Sequence, residues 1–468
     1  MAGLSTMRQT ARLRRMSDAG LQACEEKMRG AGLPEVAIET FAHYYRLLEA
    51  GETGLIPEAA IEPVDALPDA DDLVEEAGPE LLGQTVVIKL NGGLGTSMGM
   101  TGPKSLLTAK DGATFLELIA RQVQAVGVPL VLMNSFATRE ASLAALGEGL
   151  SGDLPADFVQ HKEPKVGADD LQPVQWPANP DLEWCPPGHG DLYTALQTSG
   201  LLDQLLGGGY RYAFVSNSDS LAAVLEPRIL AWMAAEQAPF VMEVCDRTEA
   251  DRKGGHIARG VGGDGAGGLL LREVAQCPDE DLDAFQDVAR HRYFNTNTIW
   301  LDLQAVAREL EVRDGVLGLP LIRNRKTVDP SDPASPAVFQ IETAMGAALS
   351  VIEGARALRV PRTRFTPVKT TSDLLALRSD AYALADDSSV VLAAPRPPVI
   401  ELDGEHFKLV GDFEPRFAAG APSLRECTRL VVDGDVTFGA DITVRGDVTI
   451  QAHGGPVHLA DGSVLSGS

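Results

Sequence analysis

The sequence predicts an α/β fold with a doubly wound sheet, and three observations lead to this class. Short apolar runs alternate with segments of helical periodicity between residues 81 and 393. A helical pattern precedes this region, and a six-residue repeat follows it. With 468 residues, 44% of them hydrophobic, the chain is long enough for roughly two or three domains and a sizeable core.

The first predicted element is a helical segment, which together with a connector occupies residues 1–80. Apolar residues recur at helical spacing from Ser17 to about Ala50, with a break at Gly32-Leu33-Pro34. The stretch from Gly51 to Gly83 contains several prolines and acidic clusters. This composition predicts an extended connector.

The predicted central domain covers residues 81–393. The apolar runs that we expect to be strands are 85–90, 128–133, 211–215 and 240–244, with helices predicted over 114–126 and 138–150. Short, continuously apolar strands between helices are typical of a parallel sheet that is covered on both faces. In such sheets, ligands bind beyond the carboxyl ends of the strands, so the loops at those ends are the candidate site.

Residues 394–468 are predicted to form a C-terminal β-helix domain after a proline-rich linker. Leu430, Val436, Ile442 and Val448 recur every six residues, and a second apolar residue follows each of them two places later. Such a repeat stacks aliphatic residues in successive rungs. An ordinary β-meander, the alternative, has no reason to keep this spacing. The exposed end of a β-helix could pair with another copy, whereas acidic turns could keep the chain monomeric.

Composition excludes several classes of function. The formal net charge of −26 would repel nucleic acid and anionic membranes. The five cysteines are scattered and form no CxxC pair, which argues against a disulfide framework or a zinc site and favours a cytoplasmic location. No run of about 18 apolar residues occurs, and the basic start has no apolar segment behind it. We therefore expect neither secretion nor a membrane span.

A glycine-rich loop follows the strand predicted to end at Leu90. Its five glycines precede Lys104, so backbone N–H groups can face phosphate oxygens while the lysine adds positive charge. The loop is not a P-loop, because Pro103 separates Gly102 from Lys104, and its glycine spacing is not the dinucleotide fingerprint. A flexible structural loop is the alternative, but a turn needs only one or two glycines. The sequence therefore predicts a phosphate-binding loop.

The run from Leu90 to Ser105, LNGGLGTSMGMTGPKS, resembles the nucleotide-binding loop of the eukaryote-type UTP–glucose-1-phosphate uridylyltransferases, also called UDP-glucose pyrophosphorylases. Further segments match this family in order: FVQHKEPK (158–165), PPGHGD (186–191), VSNSDS (215–220), KGG (253–255), FNTN (294–297), QIETA (340–344) and PVKT (367–370). The matches cover roughly residues 80 to 380. The resemblance implies a nucleotidyltransferase-type, Rossmann-like core with a mixed or parallel sheet, and a left-handed C-terminal β-helix.

The resemblance also implies roles for individual residues. The nucleotide would contact Leu90, Gly92, Gly93, Gln160, Gly188 and His189, with Gln160 and Gly188 at the uracil edge. The sugar would contact Asn217, Gly255, Asn295, Asn297 and Glu342. Asp219 would hold Mg²⁺, and Lys104 and Lys369 would be the catalytic groups that clamp the phosphates. Ser220 departs from the family, which usually has Asn after the metal-binding Asp, and this change could alter sugar preference.

Each of these assignments has a structural alternative. Asp219 could form a turn or cap a helix, and Asp191 could cap the helix predicted over residues 192–206. Glu342 lies before an apolar segment, where a glutamate usually complements the dipole of a helix in its first turn.

The predicted reaction needs no general base, because the phosphate oxygen of a sugar 1-phosphate is already an anion. The difficulty is repulsion between two anions, which Mg²⁺, Lys104 and Lys369 would relieve. The sequence thus predicts a Mg²⁺-dependent enzyme that forms UDP-glucose and pyrophosphate from UTP and glucose 1-phosphate, reversibly, by in-line attack and without a covalent intermediate. Its expected partners are these small molecules, and neither nucleic acid nor a membrane.

Three other functions remain open. A pyrophosphorylase for another sugar 1-phosphate, such as N-acetylhexosamine 1-phosphate, would carry the same motifs. A nonenzymatic nucleotide-sugar sensor or assembly module would not require Lys104, Asp219 and Lys369 together. A nicotinamide-dependent dehydrogenase is a further alternative. A change in absorbance on adding NAD(P)H together with candidate substrates would reveal it.

Overall fold

The computed structural model describes residues 19–147, 149–262 and 267–467. The basic start of the chain, including Ser17, lies outside these residues. The chain divides into two compact units that alternate along the sequence. The first unit comprises Met1–Thr85, Phe158–Phe214 and Pro227–Val360, and the second comprises Val86–Asp157, Val215–Glu226 and Pro361–Ser468. Among the described residues, no helix has the length and apolar character that crossing a membrane requires.

The helices of the described chain are mostly short. Residues 19–30 are helical and are labelled α1. The later α-helices are α2 (Glu35–Glu49), α3 (Pro79–Gly83), α4 (Phe115–Val126), α5 (Arg139–Leu146), α6 (Leu192–Thr198), α7 (Leu201–Gly207), α8 (Pro227–Ala235), α9 (Leu282–Gln286), α10 (Leu303–Val312), α11 (Thr371–Arg378), α12 (Gly404–Phe407) and α13 (Val410–Arg416).

The strands follow the same chain order. They are β1 (Ile61–Glu62), β2 (Thr85–Asn91), β3 (Thr108–Lys110), β4 (Ala113–Thr114), β5 (Leu130–Asn134), β6 (Asp157–Val159), β7 (Glu163–Pro164), β8 (Val166–Gly167), β9 (Trp184–Cys185), β10 (Tyr212–Asn217), β11 (Phe240–Asp246), β12 (His256–Gly260), β13 (Leu269–Arg272), β14 (Tyr293–Asp302), β15 (Ile322–Thr327), β16 (Ala337–Glu342), β17 (Arg356–Arg359), β18 (Tyr382–Leu384), β19 (Val390–Leu392), β20 (Val399–Leu402), β21 (Ser423–Phe438), β22 (Thr443–Leu459) and β23 (Val464–Ser466).

The N-terminal helices of the first unit pack as their periodicity predicts. Cys24 and Met28 of α1 and Phe41 of α2 are buried in one cluster, together with Val166 and Ile341. Burial of this apolar face stabilises both helices, since isolated helices of this length are marginal in water. The predicted connector is only partly extended, because it also contains helix α3 and two 3₁₀-turns, Glu58–Ala60 and Ala70–Asp72.

The sheet strands of the first unit run in both directions. Strand β11 is parallel to β17 but antiparallel to β14, and β12 is antiparallel to β1, β13 and β14. Strands β12 and β13 follow each other closely in the chain, and such neighbours pair antiparallel through a short connection. The fold is therefore α/β with strands of mixed direction, which agrees with the mixed or parallel sheet that the family resemblance implies.

In the second unit, β2 and β5 pair in parallel, as the sequence predicts. Helix α4 connects them, and it begins with a capping box in which Thr114 and Glu117 satisfy each other's backbone N–H groups. Both strands end at a buried asparagine, and Asn91 Nδ2 donates to Asn134 Oδ1 at 2.8 Å. The carboxyl end of β2 is therefore firmly placed, and the glycine-rich loop begins there.

The C-terminal strands β20 to β23 form a separate sheet in which every pairing is parallel. Leu430 pairs with Val448, eighteen positions later, which equals three six-residue repeats. Leu430, Val436, Ile442 and Val448 are all buried, so the repeat does line a core. The predicted stacking of parallel strands is confirmed.

Two helix predictions are corrected by local glycines. Helix α5 ends at Leu146, because Gly147 adopts a φ of 73°. The helix predicted over 192–206 consists of α6 and α7, which Gly200 separates with a φ of 73°. A positive φ is readily adopted only by glycine and interrupts a right-handed helix.

Candidate functional site

The glycine-rich loop of the second unit is folded back on Lys104. Two of its glycines have a left-handed backbone, with φ of 63° at Gly95 and 75° at Gly99. A Cβ atom at Gly95 would lie 2.9 Å from Met100 Sδ, so a side chain there would displace Met100 and would also have to adopt the left-handed backbone. The backbone N–H of Lys104 donates to the carbonyl of Gly93 at 3.0 Å. The loop is thus an ordered structure that fixes the start of the Lys104 side chain.

Lys104 and Asp219, predicted as a catalytic group and a metal ligand, form an ion pair. Lys104 Nζ lies 2.7 Å from Asp219 Oδ2, and their side chains are 13% and 23% exposed. Lys104 also donates to the carbonyl of Val368. The N–H of Val368 in turn donates to the Asp219 carbonyl at 3.0 Å. These contacts bring the glycine-rich loop, the Asp219 turn and the segment before Lys369 together.

Lys369 is exposed at the start of helix α11. Its backbone N–H donates to Asp373 Oδ2 at 2.8 Å, and Thr370 and Asp373 form a capping box. The backbone of Lys369 is therefore held by the helix cap, while its side chain is exposed to solvent. Lys369 follows Val368 directly, so its backbone lies one residue from the contacts with Lys104 and Asp219.

The turn that carries Asn217 and Asp219 is supported by a residue that the motifs did not indicate. Lys89 lies in the buried strand β2, and its Nζ donates to Ser216 Oγ at 2.7 Å and to the Ala223 carbonyl at 2.8 Å. These two acceptors flank the turn on both sides. A lysine inside the otherwise apolar run VVIKL was the signal that could have indicated this role.

Leu90 and the residues of the turn are linked through the backbone. The N–H of Ser218 donates to the Leu90 carbonyl at 3.1 Å, and Asn217 ends strand β10 with a half-buried side chain. The Gly92 carbonyl accepts a hydrogen bond from Ser135 Oγ at 3.0 Å. Ser220 is buried, and its Oγ has no hydrogen-bond partner among the described residues. The shorter side chain at this position therefore leaves one hydroxyl group unsatisfied.

The surroundings of Asp219 offer few protein ligands for a divalent cation. Among residues 19–147, 149–262 and 267–467, no group of three His, Cys, Asp or Glu side chains is placed to hold a metal ion. Mg²⁺ is usually held by one or two carboxylates, with water and substrate phosphates completing the octahedron. Asp219 fits this pattern as a single protein ligand, provided that substrate phosphates contribute.

In the first unit, the loop PPGHGD is hydrogen-bonded to the segment that follows β16. The N–H of Thr343 donates to the Pro187 carbonyl at 3.0 Å, and the N–H of Gly190 donates to the Thr343 carbonyl at 2.9 Å. Gly188 has a φ of 77°, and a Cβ atom there would lie 2.4 Å from the Thr343 carbonyl oxygen. Glycine is therefore required at this position by both conformation and space.

His189 takes part in the same connection. Its Nδ1 accepts a hydrogen bond from the Met345 N–H at 2.9 Å, which fixes the ring as a neutral acceptor. Burial lowers the pKa of His189 to about 4. The imidazole therefore brings no positive charge at neutral pH.

The position of Gln160 is fixed by the hydrogen bonds of the next residue, His161. The side chain of Gln160 is half-buried after strand β6. The next residue, His161, donates its N–H to Asp191 Oδ2 at 2.6 Å, and its Nδ1 lies 2.8 Å from Asp191 Oδ1. The prediction that Asp191 caps helix α6 is wrong, since its side chain makes no capping hydrogen bond. The carboxylate instead ties the turn beyond Gln160 to the PPGHGD loop.

Three of the predicted sugar contacts lie together in the first unit. Asn295 donates its backbone N–H to the Gly255 carbonyl at 2.9 Å, and its Nδ2 donates to Asn297 Oδ1 at 3.0 Å. The N–H of Asn297 donates to Asn295 Oδ1 at 2.9 Å, and Asn297 has a φ of 56°. Sequence reasoning missed Glu273, whose Oε1 lies 3.4 Å from Asn295 Nδ2. Nothing in its neighbourhood in the sequence distinguishes this glutamate from a surface residue.

Glu342 ends strand β16, so the prediction that it opens a helix is wrong. The next regular element is a 3₁₀-helix at Met345–Ser350. A Cβ atom added at Gly188 would lie 3.2 Å from the Cβ of Glu342. The Oε1 atom of Glu342 lies 3.9 Å from Lys326 Nζ. The strand pairing of β16 with β15 sets this position. Glu342 therefore belongs with the Gly188 loop.

An ordered glycine-rich loop at the end of a parallel strand, with a lysine and a carboxylate joined beside it, defines an α/β protein of the nucleotidyltransferase class. The UTP–glucose-1-phosphate uridylyltransferase family model matches residues 38–445 of the sequence. The chain belongs to this family. The family resemblance of its motifs is thus confirmed.

Relatives with the same description match the chain over most of their own length. A UTP–glucose-1-phosphate uridylyltransferase of Solanum tuberosum is 39% identical over 423 residues, covering 87% of this chain and 85% of the relative. One solved structure is the L281D mutant of UDP-glucose pyrophosphorylase from Leishmania major in complex with UDP-Glc, with 45% identity and a TM-score of 0.91. The match covers 96% of this chain and 98% of that one. A UDP-glucose phosphorylase from Trypanosoma brucei has 47% identity and a TM-score of 0.88, covering 96% and 99%.

Proposed function

We propose that this chain is the enzyme that forms UDP-glucose and pyrophosphate from UTP and glucose 1-phosphate, in a reversible reaction. The observation that carries the proposal is the joining of Lys104, Asp219 and the Lys369 segment in the second unit. Family membership and the UDP-Glc complex of the Leishmania major relative support the choice of substrate.

In the proposed reaction, an oxygen of the glucose 1-phosphate attacks the α-phosphorus of UTP. The bond from that phosphorus to the bridging oxygen breaks in line with the attack, and the electron pair leaves with pyrophosphate. The attacking oxygen is already an anion, so no side chain has to remove a proton. Lys104 and Lys369 oppose the negative charge that gathers in the transition state.

Mg²⁺, when bound, would supply further positive charge at the phosphates. Asp219 would be its ligand from the protein, and substrate phosphates would complete its coordination. Lys104 keeps Asp219 paired until then, because its ammonium group already contacts Oδ2. The lysine thereby prevents an uncompensated, partly buried carboxylate in the unliganded protein.

The remaining proposed roles concern the base, the sugar and the backbone of the loop. Gln160, Gly188 and His189 would contact the uracil or nucleotide, as would Leu90, Gly92 and Gly93 of the second unit. Asn217, Gly255, Asn295, Asn297 and Glu342 would contact the sugar. We add Glu273 to the sugar group, since its carboxylate lies against Asn295 and can accept from a sugar hydroxyl.

The proposal extends to the organisation of the chain. It keeps the predicted domains 1–80, 81–393 and 394–468, a left-handed winding of the C-terminal β-helix and a cytoplasmic location. The end strand Val464–Ser466 presents an edge through which copies could associate. Light scattering at several protein concentrations tests that association.

A pyrophosphate-release assay tests the proposed activity. The purified protein is mixed with Mg²⁺, one nucleoside triphosphate and one sugar 1-phosphate from a panel that includes UTP, CTP, glucose 1-phosphate and N-acetylglucosamine 1-phosphate. We expect the highest kcat/KM with UTP and glucose 1-phosphate. Preference for the N-acetylhexosamine would replace the proposed substrate, and absence of pyrophosphate with every pair would contradict the proposal.

A further inference from the structure

Glu163 is a buried carboxyl group of the first unit with no evident counter-charge. It lies on strand β7 and is 4% exposed. Its Oε1 has no hydrogen-bond partner among the residues that the structure describes. On the paired strand β9 it lies opposite Cys185, whose thiol offers no positive charge. An ionised carboxylate in this position would lose its hydration without a compensating interaction.

The ionisable groups that act on Glu163 come from five neighbouring elements. They are Cys24 of α1, Tyr44 of α2, Cys185 of β9, Asp191 of the 3₁₀-turn His189–Asp191 and Glu342 of β16. None of these groups is a cation, and two of them, Asp191 and Glu342, are carboxyl groups. Burial, and then the charges of Asp191 and Glu342, raise the pKa of the Glu163 carboxyl well above its usual range, while the nearby Ile341 amide opposes this in part.

The basic residues near Glu163 are engaged in other contacts. Lys162 Nζ lies 4.5 Å from the Trp184 ring centroid, and Lys165 Nζ donates to the Val328 carbonyl at 2.8 Å. Lys326 lies 3.9 Å from Glu342, and His161 is bound to Asp191. Each of these groups therefore acts on a partner other than the Glu163 carboxyl.

A small cavity connects Glu163 with the segments that carry the proposed ligand contacts. It has a volume of about 30 Å³, and its lining includes the carboxyl groups of Glu163, Asp191 and Glu342, the basic residues His161 and Lys162, and Thr343. This volume has room for roughly two water molecules. A neutral Glu163 can donate its O–H into the cavity, whereas an ionised one would place a third carboxylate there.

We propose that Glu163 holds a proton in the folded protein and that the neutral acid is a positioning residue for the segment that carries Glu342. Loss of the proton leaves three carboxylates around one small cavity, and their repulsion displaces this segment. The same segment is hydrogen-bonded to the Gly188 loop through Thr343, so the displacement reaches both. The functional consequence, weaker binding of UDP-glucose at alkaline pH, rests on the proposed function.

The first experiment needs no ligand. Thermal unfolding and amide hydrogen exchange of residues 340–343 are measured from pH 5 to pH 10 for the wild type and for Glu163→Gln, whose amide is a neutral mimic of the protonated acid. A raised folded pKa gives stability that is present at low pH and lost as the pH rises through that pKa. We expect this loss, and faster exchange of the segment, in the wild type only. The exposed Glu311→Gln serves as the control and should behave as the wild type.

The second experiment measures UDP-glucose binding by calorimetry over the same range. We expect the wild-type Kd to rise on the alkaline side by at most about tenfold per pH unit, and the Glu163→Gln Kd to lack this rise.

A further variant is followed by thermal unfolding. Glu342→Gln should move the alkaline loss of stability to lower pH, because it removes one of the charges that keep Glu163 protonated.

Three outcomes would overturn the inference. The first is an identical pH dependence of stability in the wild type and Glu163→Gln. The second is a Glu163→Gln protein that does not fold at neutral pH, since that would mean the negative charge is needed. The third is exchange of residues 340–343 that is unaffected by pH. Absence of UDP-glucose binding at every pH would instead contradict the proposed function and leave the stability and exchange curves to decide on Glu163.

Discussion

Lys104 Nζ lies 2.7 Å from Asp219 Oδ2, which joins the proposed catalytic cation to the proposed metal ligand before any substrate is present. Both side chains are mostly buried. Removing one partner leaves a partly buried charge without compensation, and this costs more than removing both. The pair therefore contributes to stability as well as to the reaction.

We predict that Lys104→Met and Asp219→Asn each lower the free energy of unfolding by about 1–3 kcal/mol. The double variant should lose less than the sum of the two, because no charge is then left alone. Urea unfolding of the four proteins measures this. Glu426→Gln and Arg445→Met, at an exposed ion pair of the same unit, are the control and should cost less than about 1 kcal/mol. Strictly additive losses at Lys104 and Asp219 would contradict the coupling.

Lys369 should matter for turnover and little for stability. Its side chain is exposed, and only its backbone N–H is bound within the helix cap. Lys369→Ala should lower kcat by about 10²-fold, since the charge is needed most in the transition state. Steady-state kinetics measure the effect, with the exposed Lys408→Ala as the control. An unchanged kcat would remove Lys369 from the catalytic groups.

Two glycines of the candidate site should respond differently to the same substitution. Gly188→Ala should destabilise the protein by about 2 kcal/mol or more, because φ is 77° and the new Cβ would lie 2.4 Å from a backbone oxygen. The Cβ atom that Gly93→Ala adds would have no neighbouring atom within 4 Å, so the free energy of unfolding should change by less than about 0.5 kcal/mol. If the loop contacts phosphates, Gly93→Ala should still weaken UTP binding by about tenfold.

Thermal unfolding and UTP titration of both variants separate conformational strain from ligand contact. A stable Gly188→Ala protein would contradict the requirement for glycine. Full UTP affinity in Gly93→Ala would show that this part of the loop does not approach the nucleotide.

Much of the architecture follows from local sequence. The strands at β2, β5 and β11 and the six-residue spacing from Leu430 to Val448 depend on apolar periodicity, which neighbouring residues determine. Strand direction is different, because it depends on the partner strand, and an apolar run buried on both faces looks the same in either orientation. The antiparallel pairing of β11 with β14 therefore could not be predicted.

The candidate site shows the same limit. The glycine-rich loop with Lys104 was predictable because its residues are consecutive. The bond of Asp191 to His161 was not, since it joins residues thirty positions apart, and neither was the approach of Glu273 to Asn295. Such contacts arise only when strands and loops from distant parts of the chain are brought together.

Gln160 is expected to determine nucleotide preference. Its amide offers a donor and an acceptor that match the N–H and C=O groups of uracil, and cytosine presents a different pattern on that edge. Gln160→Ala should reduce the preference for UTP over CTP, with about 1–3 kcal/mol lost per buried group left unpaired. Measuring kcat/KM with both nucleotides tests this. If Gln160 only stabilises its loop, the variant will melt earlier and the UTP/CTP ratio will stay unchanged.

His189 should make the protein less stable in acid. Burial lowers its folded pKa from 6.5 to about 4, so between these values the unfolded chain binds the proton more readily. The stability that neutral His189 contributes is therefore present above pH 6.5 and is lost as the pH falls towards 4, with a slope of at most about 1.4 kcal/mol per pH unit. His189→Asn keeps an acceptor for the Met345 N–H but cannot titrate, so its unfolding free energy should fall less over this range. The difference between the two curves from pH 7 to pH 4 isolates this residue from the other buried histidines, and parallel curves would mean that His189 is not held neutral by burial.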